Sequence, residues 1–339
     1  MIREALEMLV ERKDLKKEQA KKVMLEIMEG KATSAQIAAF LTALRMKGET
    51  SEEIAGLAEQ MMSKVISFPW NGDILVDTCG TGGDGLYTFN ISTTCAFVVA
   101  AAGIKVAKHG NRALSSRCGS ADVPEELGVK IDLSPHLAKK ALEEVGISFL
   151  FAPLFHKAMK HALTPRREIG IRTVFNLLGP LTNPLRANVR LMGVCSFSLT
   201  SILAQAMGYL GVKRGFVVWG EEGLDEVSLS GRTKVSELKD GEVENYWISP
   251  EDVGIKRCSL DEIRGGDRKK NARIAYAILS GKEKGAKKDI VLLNAAFCMV
   301  GAGLASNLKE GVKFASEVID SGEALKKLKE LIEFSNSFI

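Results

Sequence analysis

The sequence has 339 residues, 46% hydrophobic and 26% charged, which is long enough for a large core and ordinary for a soluble globular protein. Its 46 Lys and Arg against 42 Asp and Glu, with no basic tail, argue against a nucleic-acid-binding protein. The six cysteines have neither CxxC nor Cys/His ligand spacing, which favours thiols in a reducing compartment over disulfides or zinc. Because the sequence shows neither a signal-peptide core nor an apolar run of membrane-spanning length, we expect a cytoplasmic protein.

Residues 1 to about 66 show helical periodicity only, and they predict four short amphipathic helices. Thr33 with Gln36, and Thr50 with Glu53, have capping-box spacing and open the third and fourth of these helices. Short amphipathic helices cannot bury both faces alone, so we expect them to pack on a larger domain or on a second subunit. Residues 68–72 form the break that follows.

From residue 73 onward, strand and helix patterns alternate. Strands are predicted at 74–76, 104–107, 147–151, 189–194 and 215–219, followed by a hairpin that turns at 240–241. This pattern predicts an α/β fold with a mixed, mainly parallel sheet. The segment 152–184 interrupts the alternation with a helix at about 155–163, and it is either an excursion back to the helical region or a cover over the site.

Three helices of the α/β region are predicted to begin at a hydroxyl or amide cap. Asn90 or Ser92 would cap a buried helix, and Ser120 would cap a short one. Ser134, followed by Pro135 in the first turn, would open a third helix. Ser92 has a second interpretation as a metal ligand, but its position alone favours the cap.

Two glycine-rich stretches, residues 77–94 and 105–122, each follow a predicted strand and lead toward a helix. Loops of this kind present backbone N–H groups to an anion, usually phosphate. Because one crossover helix joins them, the two loops would come from neighbouring parallel strands and face one crevice. We therefore expect a site for a heavily phosphorylated small molecule.

The second loop carries the cations Lys108 and Arg112 beside hydroxyls and glycines, so an anion cradle is favoured over a solvated charged loop. His109 by itself is more typical of a hydrogen-bonded structural histidine than of a base. Asp225 and Glu226 follow a predicted strand, where they are either exposed acids or magnesium ligands, and the local pattern does not decide between the two.

These stretches together resemble the anthranilate phosphoribosyltransferase family, whose members join anthranilate to 5-phosphoribosyl 1-diphosphate in tryptophan synthesis. The resemblance spans nearly the whole chain and rests on motifs in order: GTGGDGLYTFNIST, KHGNRALSSRCGSAD, RREIGIRTVFNLLGPLTNP, GLDEVS, GGD at 265–267 and DIVLLNAA at 289–296. It implies a small all-α domain, residues 1–70 completed by about 155–185, and a large α/β domain, residues 71–339, whose central sheet is flanked by helices. It also implies a homodimer through the helical domains.

The resemblance assigns residues to ligands. Those that would hold the phosphoribosyl diphosphate are Gly80, Gly83, Asp84, Thr88, Asn90, Ile91, Ser92, Thr93, Lys108, His109, Gly110, Asn111, Arg112, Ala113, Leu114, Ser115, Ser116 and Ser120. Those that would contact anthranilate are Gly80, Asn111 and Arg166, with Arg166 rather than Arg167 matching the family's arginine. Those that would bind magnesium, two Mg²⁺ ions per subunit, are Ser92, Asp225 and Glu226.

The implied reaction displaces diphosphate from the anomeric carbon by the aromatic amine, and it needs no covalent nucleophile. His109 would be a pocket wall first and a base second. Two alternatives remain: a pyrimidine nucleoside phosphorylase, and a non-enzymatic relative that binds nucleic acid. No contact with nucleic acid or membrane is expected for the main interpretation.

Overall fold

The helices predicted for the N-terminal region are present in the computed structural model, which describes residues 1–68, 70, 72–113 and 117–338. Within residues 1–68 they are α1 Ile2–Val10, α2 Lys17–Met28, α3 Ser34–Lys47 and α4 Ser51–Ser63. Both predicted capping boxes are confirmed, since Gln36 N donates to Thr33 Oγ1 (3.2 Å) and Glu53 N donates to Thr50 Oγ1 (3.3 Å). Pro69 and Asn71, in the predicted break, lie outside the described residues.

The rest of the chain alternates strands with helices. The strands are β1 Val76–Gly80, β2 Val106–Gly110, β3 Ile147–Phe151, β4 Val189–Gly193, β5 Arg214–Gly220, β6 Thr233–Lys239 and β7 Glu242–Ile248. The helices are α5 Ile91–Ala101, α6 Asp122–Glu126, α7 Pro135–Glu144, α8 Ala152–Phe155, α9 Lys160–Ile169, α10 Val174–Leu181, α11 Leu199–Tyr209, α12 Arg268–Leu279, α13 Ala286–Gly301, α14 Leu308–Asp320 and α15 Glu323–Asn336. Short 3₁₀ turns lie at Lys157–Met159, Pro250–Val253 and Leu260–Ile263.

Within the described residues the strands form one sheet in the order β3-β2-β1-β4-β5-β6-β7. The first five pair in parallel, and β6 and β7 are antiparallel, joined by the predicted turn at Asp240 (φ 51°) and Gly241 (φ 87°). The strand order reverses direction between β1 and β4, and ligands of such sheets bind at that switch point, beyond the carboxyl ends of the strands. The predicted fold class is confirmed.

The sheet has one apolar core on each face, because successive side chains of a strand point to opposite sides. On one face Leu191 and Phe216 pack with α5, α7 and α13–α15. On the other face Met192 and Val217 pack with α11, α10 and the N-terminal helices. The helical bundle formed by α1–α4 is therefore attached to the sheet by a continuous apolar core.

No helix in the described part of the chain is long and apolar enough to span a membrane.

The excursion returns to the bundle, which was one of its two predicted positions. Ala162 of α9 and Phe175 of α10 belong to the same apolar cluster as α1–α4. The helix predicted at about 155–163 is wrong in its bounds, since α9 covers Lys160–Ile169 and contains Pro165. Burial of Ala162 and Pro165 against the bundle holds the helix although proline cannot donate the usual backbone bond.

Ser134 caps α7 as predicted, since it accepts a hydrogen bond from Leu137 N (3.4 Å) and Pro135 is the first helical residue. The prediction that Ser120 caps the next short helix is wrong, because α6 begins at Asp122 with Ala121 in the N-cap position. The Ser120 hydroxyl instead accepts a hydrogen bond from Asn111 N (3.2 Å). It therefore ties the two ends of the second glycine-rich loop together.

Glu53 generates a testable prediction about the bundle, because its buried carboxylate accepts hydrogen bonds from Leu15 N and from Lys47 Nζ, both at 2.9 Å. We expect Glu53→Ala to lower the free energy of unfolding by about 3 kcal/mol, since the change leaves a buried lysine undercompensated. Urea unfolding measures this. Glu52→Ala, one residue earlier and exposed, is the matched control; equal losses in the two variants would contradict the account.

Candidate active site at the switch point

The strands β1, β2 and β4 each end in a glycine that lies beneath a loop crossing the strand end. A Cβ at Gly80 would lie 2.7 Å from Asp225 Oδ2, and one at Gly193 would overlap the backbone of Asp225. A Cβ at Gly110 would overlap the hydroxyl of Ser120. The segment that carries Asp225 and Glu226 therefore covers the ends of β1 and β4, and the second loop covers the end of β2. Glycine at these three positions leaves room for the close approach.

The acidic pair is held by backbone donors of the first loop and of α5. Gly82 N donates to Asp225 Oδ2 (2.7 Å), and Ser92 N donates to Glu226 Oε1 (3.1 Å). The second donor belongs to the first turn of α5, where the helix dipole favours negative charge. The two carboxylates are therefore fixed at the switch point, and Glu226 is buried rather than an exposed surface acid.

Burial shapes the protonation of this pair. Burial raises the pKa of Glu226 to about 8, although the nearby Lys108 ammonium and the Ser92 N–H act in the opposite direction. Burial, followed by the charges of Asp84 and Glu226, raises the pKa of Asp225 well above its ordinary value. Asp84 Oδ2 is itself buried without a hydrogen-bond partner among the described residues. A cation bound among these three acidic groups would relieve their mutual repulsion.

The described residues contain no ready-made cluster of three or more His, Cys, Asp or Glu side chains in metal-binding geometry. Mg²⁺ needs no such cluster, because it keeps several waters and takes the remaining oxygens from one or two carboxylates and from substrate phosphates. Asp225 and Glu226 offer those carboxylates.

The prediction that Ser92 caps α5 is wrong, since α5 begins at Ile91 and Ser92 lies inside its first turn. The Ser92 hydroxyl lies 3.4 Å from Lys108 Nζ, which also donates to the backbone oxygen of Thr78. Lys108 is only 2% exposed. Its ammonium is therefore a buried positive charge beneath Ser92 and beside Glu226.

Asn90 occupies the N-cap position of α5, but its amide joins three segments instead of capping. Its Nδ2 donates to Gly119 O (3.2 Å), and its Oδ1 accepts from Asn271 Nδ2 (2.9 Å). Asn271 in turn accepts from Gly266 N (2.7 Å). The first loop, the second loop and the Gly-Gly-Asp segment at 265–267 are thus connected through one pair of amides.

The second loop is closed by Asp122, whose Oδ2 accepts hydrogen bonds from Gly119 N (2.6 Å) and Ala113 N (3.2 Å). The Arg112 side chain forms an ion pair with Glu125 (2.6 Å) and lies over the ring of Phe151, so its guanidinium is already partnered. Leu114, Ser115 and Ser116, which are predicted to bind the phosphoribosyl diphosphate, lie outside the described residues. Sequence reasoning missed Asp122, because an acidic residue in the first turn of a helix is common and does not by itself indicate a role in a loop.

Among the other residues predicted to bind the phosphoribosyl diphosphate, Ile91 and Thr93 have buried side chains, so only their backbone is available to a ligand. Thr88 pairs with Arg264 through an isolated antiparallel bridge. Gly83 lies directly against the guanidinium of Arg172, where a Cβ would overlap it.

His109 is buried against His156, with ring centroids 5.1 Å apart. Burial lowers the pKa of His156 to about 4, and burial followed by the charge of His156 lowers the pKa of His109 well below its ordinary value. Both imidazoles are therefore neutral near pH 7. Because a lowered pKa makes an imidazole a weak base, His109 is better suited to form a pocket wall than to abstract a proton.

Arg166, on α9, lies over the ring of Phe175 at 4.8 Å, and burial lowers its pKa. Arg172, which sequence reasoning missed, donates from Nη2 to Thr81 O (2.8 Å) and so reaches the first loop from the excursion. The only sequence signal for Arg172 was its position within the excursion motif. Asn111, the other residue assigned to anthranilate, is exposed at the end of β2.

Comparisons with known proteins place this fold and this switch-point site among the glycosyl transferases. A family model described as a glycosyl transferase family helical bundle domain matches residues 3–65, and one described as a glycosyl transferase family a/b domain matches residues 72–325. The anthranilate phosphoribosyltransferase of Desulfosudis oleivorans is 53% identical over 337 residues, covering 99% of each chain.

Solved structures give the same result. The anthranilate phosphoribosyltransferase of Thermus thermophilus has a TM-score of 0.93 and 43% identity, covering 98% of this chain and 99% of its own. That of Saccharomyces cerevisiae, in complex with PRPP and Mg, has a TM-score of 0.91 and 31% identity, covering 99% and 98%. The chain belongs to the anthranilate phosphoribosyltransferase family, which confirms the resemblance carried by its motifs.

Gly193 generates the prediction for this site. Gly193→Ala should displace the backbone of Asp225 and reduce turnover about a hundredfold, since a misplacement of about 1 Å near a reacting group can cost that much. Steady-state kinetics measures the loss. Gly208→Ala, in α11, is the control because its added Cβ meets only a flexible leucine side chain at 3.3 Å; a fully active Gly193→Ala enzyme would show that Asp225 does not depend on this contact.

Proposed function

We propose that this chain transfers the phosphoribosyl group of 5-phosphoribosyl 1-diphosphate to the amine of anthranilate, giving N-(5-phosphoribosyl)anthranilate and diphosphate. The observation that carries the proposal is the acidic pair fixed across Gly80 and Gly193 at the switch point, between two glycine-rich loops. Membership of the family supports the same reaction, the second step of tryptophan synthesis from chorismate.

The phosphoribosyl donor would lie between the first and second loops. Gly80, Gly83 and Asp84 line the first loop, and Gly110 and Asn111 begin the second. Backbone N–H groups near the start of α5 add positive potential, although Ser92 N already donates a hydrogen bond to Glu226. Lys108 would act on the donor through Ser92 and Glu226, because its own ammonium is buried beneath them.

Magnesium fits the residues that are present, as the crowded carboxylates and the unpartnered oxygen of Asp84 indicate. Asp225, Glu226 and the Ser92 hydroxyl would hold two Mg²⁺ ions per subunit. When bound, Mg²⁺ neutralises charge on the departing diphosphate. Because burial raises the pKa of both acids, binding of the metal would favour the release of any protons they hold.

Asn111 and Arg166 would hold anthranilate, with Gly80 near both substrates. A half-buried guanidinium that lies on an aromatic ring is suited to bind a carboxylate by two parallel hydrogen bonds. His109, neutral and buried, would form part of the wall.

In the proposed reaction, diphosphate leaves the anomeric carbon as the arylamine attacks it, and positive charge develops on the sugar. The chain's own groups contribute by orientation and charge: the loops fix the diphosphate, and Arg166 and Asn111 align the amine. No covalent nucleophile takes part, and the arylamine loses its proton after attack without a strong base.

The proposal also covers the domains, the oligomeric state and the cellular location of the protein. The helical domain would comprise residues 1–70 with about 155–185, and the α/β domain residues 71–339. Its homodimer would form through the helical domains, and the enzyme would act in the cytoplasm, consistent with free thiols at Cys79, Cys95, Cys195, Cys258 and Cys298. No observation favours the nucleoside phosphorylase or the nucleic-acid-binding alternative.

The acidic pair provides the first test. Asp225→Asn with Glu226→Gln should lower magnesium-dependent turnover by about a hundredfold or more while the fold is kept, because amides do not replace the charge that holds the metal. Fluorescence follows anthranilate consumption with donor and magnesium, with and without a chelator, and circular dichroism follows the fold. Glu221→Gln, an exposed acid of the same segment, is the control. A fully active double variant would remove the pair from the mechanism.

Arg166 provides the second test. Arg166→Ala should raise the KM for anthranilate by about tenfold to a hundredfold and leave that for the donor nearly unchanged, since a charged hydrogen-bond pair is worth about 1.5–3 kcal/mol. The neighbouring exposed Arg167→Ala should have normal values for both substrates. Equal effects of Arg166→Ala on both substrates would contradict an acceptor-specific role.

A further inference from the structure

A cavity of about 350 Å³ lies between the helical bundle and the carboxyl edge of the sheet. Arg45, Glu49 and Arg172 contribute charge to its wall, and Leu177, Leu199 and Ile202 contribute apolar surface. The wall includes neither the proposed metal ligands nor Arg166. The volume is within the range of small-molecule pockets.

The two charged side chains of the bundle are only loosely paired. Arg45 Nη1 lies 3.9 Å from Glu49 Oε2, which is too long for a hydrogen bond. The Glu49 side chain is 3% exposed, whereas that of Arg45 is 52% exposed. Glu49 Oε1 is buried and has no hydrogen-bond partner in the described part of the chain. A buried acidic oxygen without a partner is costly unless a ligand satisfies it.

The helices around the cavity add to its positive side. α10 begins after Thr173 and α11 begins after Ser198, and both of these N-cap residues line the wall. The Ser198 hydroxyl bonds to that of Ser196 (3.1 Å) rather than capping its own helix. Two helix N-termini, Arg45 and Arg172 therefore lie around the same cavity as the buried acid Glu49.

We propose that this cavity is a second small-molecule site, which binds a free α-amino acid with an apolar side chain. Its carboxylate would lie between the guanidiniums of Arg45 and Arg172, and its ammonium would donate to Glu49. The side chain would pack on Leu177, Leu199 and Ile202. A zwitterion matches this wall better than a simple anion, because an anion alone would leave Glu49 Oε1 without a donor.

Calorimetric titration of the full-length protein, without either substrate, tests the site. The probes are L-leucine, L-isoleucine, L-methionine, L-phenylalanine and L-tryptophan at millimolar concentration. We expect saturable binding of at least one, and at least tenfold weaker binding of its decarboxylated amine and of its deaminated acid, since each analogue loses one charged contact.

Variants locate the binding. Arg45→Gln and the cavity-filling Ile202→Trp should each weaken the best probe at least tenfold, whereas Arg3→Gln, an exposed arginine of α1, should not change it. Turnover at saturating substrates reports that each variant is folded. Three results would each overturn the proposal. None of the five probes binds, or the deaminated acid binds as well as the amino acid. In the third, Arg166→Ala abolishes binding while Arg45→Gln and Ile202→Trp leave it intact.

Discussion

The site depends on one close contact, in which the backbone of Asp225 lies directly on Gly193 and its carboxylate lies on Gly80. β1 and β4 are the strands between which the sheet reverses its order, so this contact brings acidic oxygens to the place where an α/β sheet binds ligands. A side chain at Gly193 would push the backbone of the segment away, and one at Gly80 would displace the Asp225 carboxylate. The Gly82 and Ser92 N–H groups then fix the two carboxylates in the position that the glycines permit.

Fixing acids in this way has an electrostatic cost, which the surroundings only partly offset. Lys108 lies beneath Glu226 and lowers its pKa, yet burial dominates and the value is still about 8. The like charges of Asp84 and Glu226 add to the effect of burial and raise the pKa of Asp225 further. A divalent cation bound here, as proposed, would offset this repulsion. Excess like charge of this kind distinguishes a candidate metal site from a buried ion pair that contributes only to stability.

The order of elements and the fold class were predictable from the sequence, because they follow from periodicity and caps within each segment. Thr33, Thr50 and Ser134 cap the helices that their local spacing indicated. Ser92 and Ser120 satisfied the same local rule and were wrong, since distant groups compete for them: Lys108 approaches the hydroxyl of Ser92, and Asn111 donates to that of Ser120.

The contacts that were missed have the same origin. Asn271 meets Asn90 across 181 positions of sequence, and Arg172 meets Thr81 across 91. Local propensity carries no information about such pairs, whereas glycine at the end of several strands was a usable signal for loops that cross them.

The excursion joins the two halves of the proposed reaction. Arg166 lies on α9, Arg172 follows it before α10, and both helices are packed in the core of the bundle. One arginine is assigned to the acceptor and the other holds the carbonyl of Thr81 in the donor loop. Since α9 and α10 pack with α3 and α4, a movement of the bundle relative to the sheet would shift both guanidiniums together. Under the proposed assignments, the position of the acceptor and the shape of the first glycine-rich loop would therefore be linked through one short segment. This link would give the helical bundle a part in the active site although it is distant in sequence.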